Sequence, residues 1–288
     1  MSFDKLYELI AQKNNPTVMG LDPLLEYIPE KFREGKSVSE ALFDFNRALI
    51  DATADLIPAI KPQSAYYELY GLEGLLALDK TIRYAKEAGI YVILDAKRGD
   101  IGSTASAYAE GHLGEGGAGA DCITVNPYLG SDGIVPFINA AKKYDKTLFS
   151  LVKTSNPSSS EFQDRLIDGK PLYRIVGEAT EKWGEDNIGE YGYSRVGAVV
   201  GATHPAQLAE LRAAMPHTFF LVPGYGAQGG KAEDVAYAFR KSDKSGAIVN
   251  SSRALMCAYK GKGDDMNFAQ FTRNACIEMR DALNAAIK

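Results

Sequence analysis

Eight short apolar runs, rich in β-branched residues, alternate with amphipathic stretches along this chain, and that alternation limits the fold more than any other feature. The runs are TVMGLD (17–22), LIPAIK (56–61), YVILDAK (91–97), DCITVN (121–126), TLFSLVK (147–153), RVGAVVGA (195–202), TFFLVP (218–223) and GAIVN (246–250). Several are nearly continuous in apolar character, the pattern of parallel strands covered on both faces. The intervals between them have helical spacing. Ser37 and Glu40 form a capping-box pattern, after which Leu42, Phe45, Leu49, Ala52 and Leu56 recur at helical intervals. Leu75, Leu78, Ile82 and Ala85 do the same, and Asp264 or Asp265 is placed to cap a last helix bearing Phe268, Phe271, Cys276, Met279 and Leu283. Eight such alternations predict an α/β protein, a (β/α)8 TIM barrel. A doubly wound open sheet has the same periodicity and stays open at this point. No compositional break marks a linker, so residues 1–288 are expected to form one domain. The interval 154–194 is longer than one strand–helix unit requires; this insertion opens with the polar SNPSSSEF and contains a helix at PLYRIVGEATEKWG.

Composition narrows the class. The 288 residues are 45% apolar and 24% charged, within the range of ordinary globular chains. The net charge of −5 is spread without like-sign blocks, which speaks against a nucleic-acid surface but leaves room for a local anion pocket. Cys122, Cys257 and Cys276 are scattered, as expected for reduced cysteines in the cytoplasm. His112, His204 and His217 have no metal-motif spacing, so no metal site is expected. No signal-peptide core and no apolar run of about 18 residues is present, so neither export nor a membrane association is expected.

In a barrel of this kind the active site lies at the carboxyl ends of the strands. Those ends are Asp22, Lys61, Asp95 with Lys97, Asn126, Lys153, Pro223 and Asn250. Side chains alternate along a strand, so Asp95 and Lys97 are expected on one face, the barrel interior. Asp100 follows in the loop; an ordinary solvated turn with Asp100 or Ser103 capping the next helix is the plainer alternative. Two later loops suggest an anion cradle. VPGYGAQGGKAEDVAYAFR (222–240) is strand, glycine-rich loop and helix, a source of exposed backbone N–H groups. It matches neither the dinucleotide fingerprint nor the Walker A pattern, and glycines alone also suit a flexible turn. GAIVNSSRALM (246–256) places Arg253 at a helix start, where it can grip a phosphate bidentately or serve as a surface ion pair. These two loops follow the seventh and eighth strands, where such barrels often build a phosphate site.

The stretch ILDAKRGDIGSTA (93–105) resembles the D-x-K-x-x-D-I-x-x-T signature of the orotidine 5′-phosphate decarboxylase family. KTSNPSS (153–159) is similar to that family's larger bacterial branch, and VPGYGAQGG and NSSR follow in family order. The resemblance implies a (β/α)8 barrel that dimerises with active sites at the interface, acting on a small nucleotide without a cofactor. It implies a catalytic set of Lys61, Asp95, Lys97 and Asp100, with Asp100, Ile101 and Thr104 reaching into the partner subunit's site. It further implies that Asp22 and Lys61 hold the ribose, that Ser155 meets the pyrimidine, and that Pro223, Gln228 and Arg253 serve the phosphate. The 223–230 loop is expected to act as a lid.

The implied chemistry needs such residues. Decarboxylation at C6 of the ring leaves an electron pair in an sp2 orbital that the π system cannot delocalise. Placed positive charge and a proton donor must substitute, and a lysine ammonium supplies both. Flanking carboxylates keep that lysine charged and fixed. Rival readings are a Schiff-base phosphosugar aldolase using Lys61 or Lys97, a synthase with Mg2+ on Asp95, and a catalytically silent nucleotide-binding protein.

Overall fold

The computed structural model describes residues 3–226 and 230–287. Its strands are β1 (Thr17–Leu21), β2 (Ala59–Pro62), β3 (Tyr91–Arg98), β4 (Cys122–Val125), β5 (Thr147–Lys153), β6 (Leu166–Ile167), β7 (Lys170–Pro171), β8 (Val196–Val200), β9 (Phe220–Val222) and β10 (Ala247–Ser251). Among the described residues β6 and β7 pair only with each other, as an antiparallel hairpin inside the insertion. The other eight close into one parallel barrel in the order β1-β10-β9-β8-β5-β4-β3-β2, with Val18 opposite Asn250 at the closure. Parallel neighbours cannot be joined by a tight turn, so helices fill the crossovers. The expected closed (β/α)8 barrel is the observed one, and the open sheet is ruled out.

Strand alternation divides the core in two. Val18, Ala59, Tyr91, Ile93, Cys122, Val199, Leu221 and Ile248 point into the barrel and pack together. Their neighbours Met19, Ile60, Val92, Ile123, Val200, Val222 and Val249 point outward under the helices. The amino-terminal segment closes the end away from the active-site loops. Phe3 is fully buried there, its ring 4.8 Å from that of Phe149 and 5.1 Å from that of Phe219.

Some sequence expectations shift. The Ser37–Glu40 capping box forms, but its helix ends at Thr53; Leu56 is buried in the following turn and β2 starts only after Pro58. A proline nitrogen has no hydrogen to give a strand ladder, which sets that start. Leu75 is 44% exposed, whereas Leu78, Ile82 and Ala85 are buried. Neither Asp264 nor Asp265 caps the last helix, Phe268–Ala286, which a 3-10 turn leads into instead. Neither Asp100 nor Ser103 caps the helix Gly102–Leu113; the Asp100 carboxylate accepts from the Ile101 N–H.

Candidate active site

The polar mouth of the barrel follows from the same alternation. Lys61 stands two residues beyond Ala59, Asp95 two beyond Ile93, Thr124 two beyond Cys122 and Asn250 two beyond Ile248. Each therefore faces inward, one layer above the apolar interior. Asp95 is the hub. Its Oδ2 accepts from Lys61 Nζ at 2.7 Å, and its Oδ1 accepts from Lys97 Nζ at 2.6 Å and from the Thr124 hydroxyl at 2.9 Å.

Lys97 reaches Asp95 by a route that strict alternation does not provide. β3 shifts register against β4 between Leu94 and Arg98, and Lys97 lies at φ 46°, in the left-handed region. A non-glycine residue there carries strain that the surroundings must hold. The Lys97 N–H donates to Thr124 Oγ1 at 2.9 Å, so Thr124 fixes both the bulged backbone and the carboxylate. The bulge also turns Arg98 away from the mouth. Arg98 donates to Glu68 at 2.6 Å and to His112 Nε2 at 3.4 Å and lies against the Tyr108 ring, bracing the second half of the next helix. Burial, with Arg98 beside it, pushes His112 down to about 4, so it is neutral near pH 7.

Charge in the hub is strongly biased. Burial opposes ionisation of Asp95, but Lys61 and then Lys97 outweigh it and hold the carboxyl far below its ordinary range. Burial likewise works against the Lys61 ammonium, and the Asp95 and Asp22 carboxylates carry it above the usual lysine value. Lys61 is thus a fixed cation.

Two cavities meet at this hub, sharing Lys61, Asp95 and Pro223. The first, about 320 Å3, adds Asp22, Gly224, Tyr225, Asn250, Ser252 and Arg253. Asp22 Oδ1 and Asn250 Oδ1 are buried there without a hydrogen-bond partner among the described residues. Gly20 makes this wall tight, because a Cβ at that position would lie 1.9 Å from Ser252 Oγ. The loop after β9 is pinched at its neck, where the Gly226 N–H donates to the Gly230 carbonyl at 2.9 Å and the Gly230 N–H to the Gly224 carbonyl at 3.1 Å. The second cavity, about 350 Å3, adds Lys97, Thr124, Thr154, Ser155 and Asn156 above apolar Leu151, Val199 and Leu221. The mouth thus joins a polar lobe bearing an arginine to a half-apolar lobe bearing short polar side chains, with alternating charges at the junction.

A model of the "Orotidine 5'-phosphate decarboxylase / HUMPS family" matches residues 19–262. The chain belongs to this family. It is 45% identical to the orotidine 5′-phosphate decarboxylase of Clostridium tetani (strain Massachusetts / E88), over 100% of this chain and 99% of that one. It is 42% identical to the same-named protein of Rhodopirellula baltica, covering 97% of each chain. Among solved structures it resembles the Leishmania donovani OMP decarboxylase, with a TM-score of 0.76 and 36% identity over 98% of this chain and 100% of that one. It also resembles the Leishmania donovani UMP synthase, with a TM-score of 0.81 and 38% identity over 100% of this chain but only 57% of that longer one.

Of the residues that the family resemblance implies, Asp22, Lys61, Asp95, Pro223 and Arg253 line the first lobe. Lys97 and Ser155 line the second. Asp100, Ile101 and Thr104 line neither lobe of their own chain; Ile101 is 54% exposed and Thr104 is also exposed, both on the outer surface. Gln228 lies outside the described residues, as does part of the loop expected to be a lid. Sequence reading missed Thr124. Its place two residues after the inward Cys122 was the available signal, but a threonine within an apolar strand carries no mark of the contact it makes.

Proposed function

We propose that this chain converts orotidine 5′-phosphate to UMP and carbon dioxide, the last step of pyrimidine nucleotide synthesis de novo. The observation that carries the reading is the Lys61–Asp95–Lys97 chain at the junction of the two lobes. In this reading Arg253 and the loops after β9 and β10 hold the phosphate, and Asp22 accepts from a ribose hydroxyl, helped by Lys61. The ring lies in the second lobe against Ser155, with C6 toward Lys97. The bond from C6 to the carboxylate breaks, its electron pair stays on C6, and the Lys97 ammonium stabilises that pair and then protonates it. The neutral amine regains its proton from water. The residues supply the whole electrostatic task, so the enzyme is a carboxy-lyase that works without a cofactor. Asp95 faces the departing carboxylate and adds ground-state repulsion. The aldolase alternative needs a neutral lysine at Lys61 or Lys97; Lys61 is held as a cation, and borohydride trapping with substrate tests Lys97. The Mg2+ alternative puts the metal on Asp95, where the Lys61 and Lys97 ammonium groups already lie against the two oxygens and would repel a divalent cation. A binding protein would have no use for so much charge beside the base. The deciding assay follows loss of the orotidine 5′-phosphate ultraviolet band with purified, chelator-treated protein; an unchanged spectrum rejects the reading.

Residues 1–288 act in this reading as one cytoplasmic catalytic domain. No helix among the described residues is long and apolar enough to cross a membrane. The active unit is a homodimer with shared sites. Support comes from the exposed apolar side chains around Asp100: Ile101, Tyr108, Leu129 and Val135 are 54%, 38%, 47% and 44% exposed. Mixing Lys97→Ala and Asp100→Ala chains gives heterodimers with one site intact, so random exchange restores about a quarter of wild-type turnover. Verified heterodimers without activity reject the shared site.

Arg253→Ala is expected to weaken UMP binding by about 10- to 100-fold, the usual worth of a hydrogen bond to a charged group, and to leave uridine binding unchanged. Calorimetry with both ligands checks this, and equal loss for both removes the phosphate assignment.

A further inference from the structure

Lys153 ends β5, yet it lines neither lobe of the mouth. β5 shifts register against β8 between Leu151 and Lys153, and the lysine side chain lies beneath the 154–194 insertion, 1% exposed. An ammonium so deep requires a counter-charge. The insertion provides it: Lys153 Nζ donates to Asp164 Oδ1 at 2.7 Å, and to Ser159 Oγ at 3.4 Å.

One residue further on, the insertion grips the wall of the second lobe. The Thr154 N–H donates to Gln163 Oε1 at 2.9 Å, and Gln163 Nε2 donates back to Thr154 Oγ1 at 2.7 Å. The Thr154 hydroxyl donates in turn to Asn156 Oδ1 at 2.6 Å. Gln163 is anchored on both sides of its own backbone. Its N–H donates to the Ser159 carbonyl at 2.9 Å, and its carbonyl accepts from the Tyr173 N–H at 2.9 Å, in the first turn of the helix Leu172–Gly184. Across the loop, Gly201 lets β8 approach, since a Cβ there would lie 2.9 Å from the Ser155 nitrogen. Thr154, Ser155 and Asn156 are therefore held from two directions.

We infer that Gln163 and Asp164 are positioning residues: they preorganise the 154–156 wall that meets the polar edge of the base. The inference rests on the pyrimidine nucleotide reading and gives the insertion a role in it. Asp164 fixes the end of β5 through Lys153, and Gln163 fixes the next residue through both of its hydrogen-bonding groups. A loop already in its bound shape spares the complex the cost of ordering it.

The test compares UMP with ribose 5-phosphate, which has no base. Gln163→Met keeps length and removes both hydrogen bonds; it is expected to weaken UMP binding by roughly tenfold. Ribose 5-phosphate binding should be unchanged, KM should rise more than kcat falls, and Gln163→Glu, which still accepts from the Thr154 N–H, should recover most of the loss. If Gln163→Met does not fold, Asp164→Asn is read by the same pair of ligands. Wild-type UMP affinity in the variant, or equal loss of both ligands, overturns the inference. Wild-type protein that binds no UMP rejects the nucleotide reading itself, and the inference falls with it.

Discussion

Lys97→Ala is expected to lower kcat by about 10^4-fold or more, because in the proposed mechanism it removes both the proton donor and the cation facing the developing electron pair. The fold should survive. The Lys97 side chain is 44% exposed, and Asp95 keeps Lys61 and Thr124 as partners after its loss. The Lys97 N–H, which holds the bulge through Thr124, is untouched by the substitution. Circular dichroism and UMP binding should stay close to wild type while the ultraviolet assay falls to background. Decarboxylation near the wild-type rate would take the donor role from Lys97. A lost fold would mean that the ammonium, and not only the backbone, maintains the bulge.

Asp95→Asn is expected to combine the other large effects. Activity should fall by about 10^3-fold, since the group that fixes Lys97, and that faces the substrate carboxylate in the proposed mechanism, is neutralised. Stability should fall by about 3–5 kcal/mol, because Lys61 is left buried with its main counter-charge gone. The pH dependence carries a distinct signature. Asp95 in the folded protein titrates below its unfolded value, so its contribution is present above about pH 4 and is lost as pH falls toward the lower folded value. Lys61 titrates above its unfolded value, so its contribution is present below about pH 10 and is lost as pH rises through the higher folded value. Urea unfolding of wild type and variant should therefore show a gap that closes toward acid, where Asp95 protonates, and narrows toward alkali, where the variant's buried Lys61, without Asp95, gives up its proton more readily than in wild type. A gap that does not close toward acid would point to a different titrating group.

The barrel was legible because eight strands buried on both faces leave runs that no half-exposed strand would show, and all eight stand where those runs lie. The inward positions of Lys61 and Asp95 were legible from the same period of two. What alternation could not provide was the bulge: it places Asp95 and Lys97 on one side by rule, whereas the contact is made through a left-handed Lys97 and a Thr124 from the next strand. Such a contact depends on the register between strands, which one strand's sequence does not contain. Lys153 shows the converse. At a strand end it read as a mouth residue, and the register shift beside it sent it under the insertion. The partner of a buried charge lying eleven positions away, as Asp164 does, has no local pattern to announce it.

The aromatic floor of Phe3, Phe149 and Phe219 makes the barrel a cup and not a pipe. Gas released at C6 has no rear exit and must escape past the nucleotide that made it. In the proposed mechanism, any loop that shuts over the phosphate therefore also detains the departing molecule beside a reactive carbon, and swift quenching by a neighbouring ammonium would guard against its recapture.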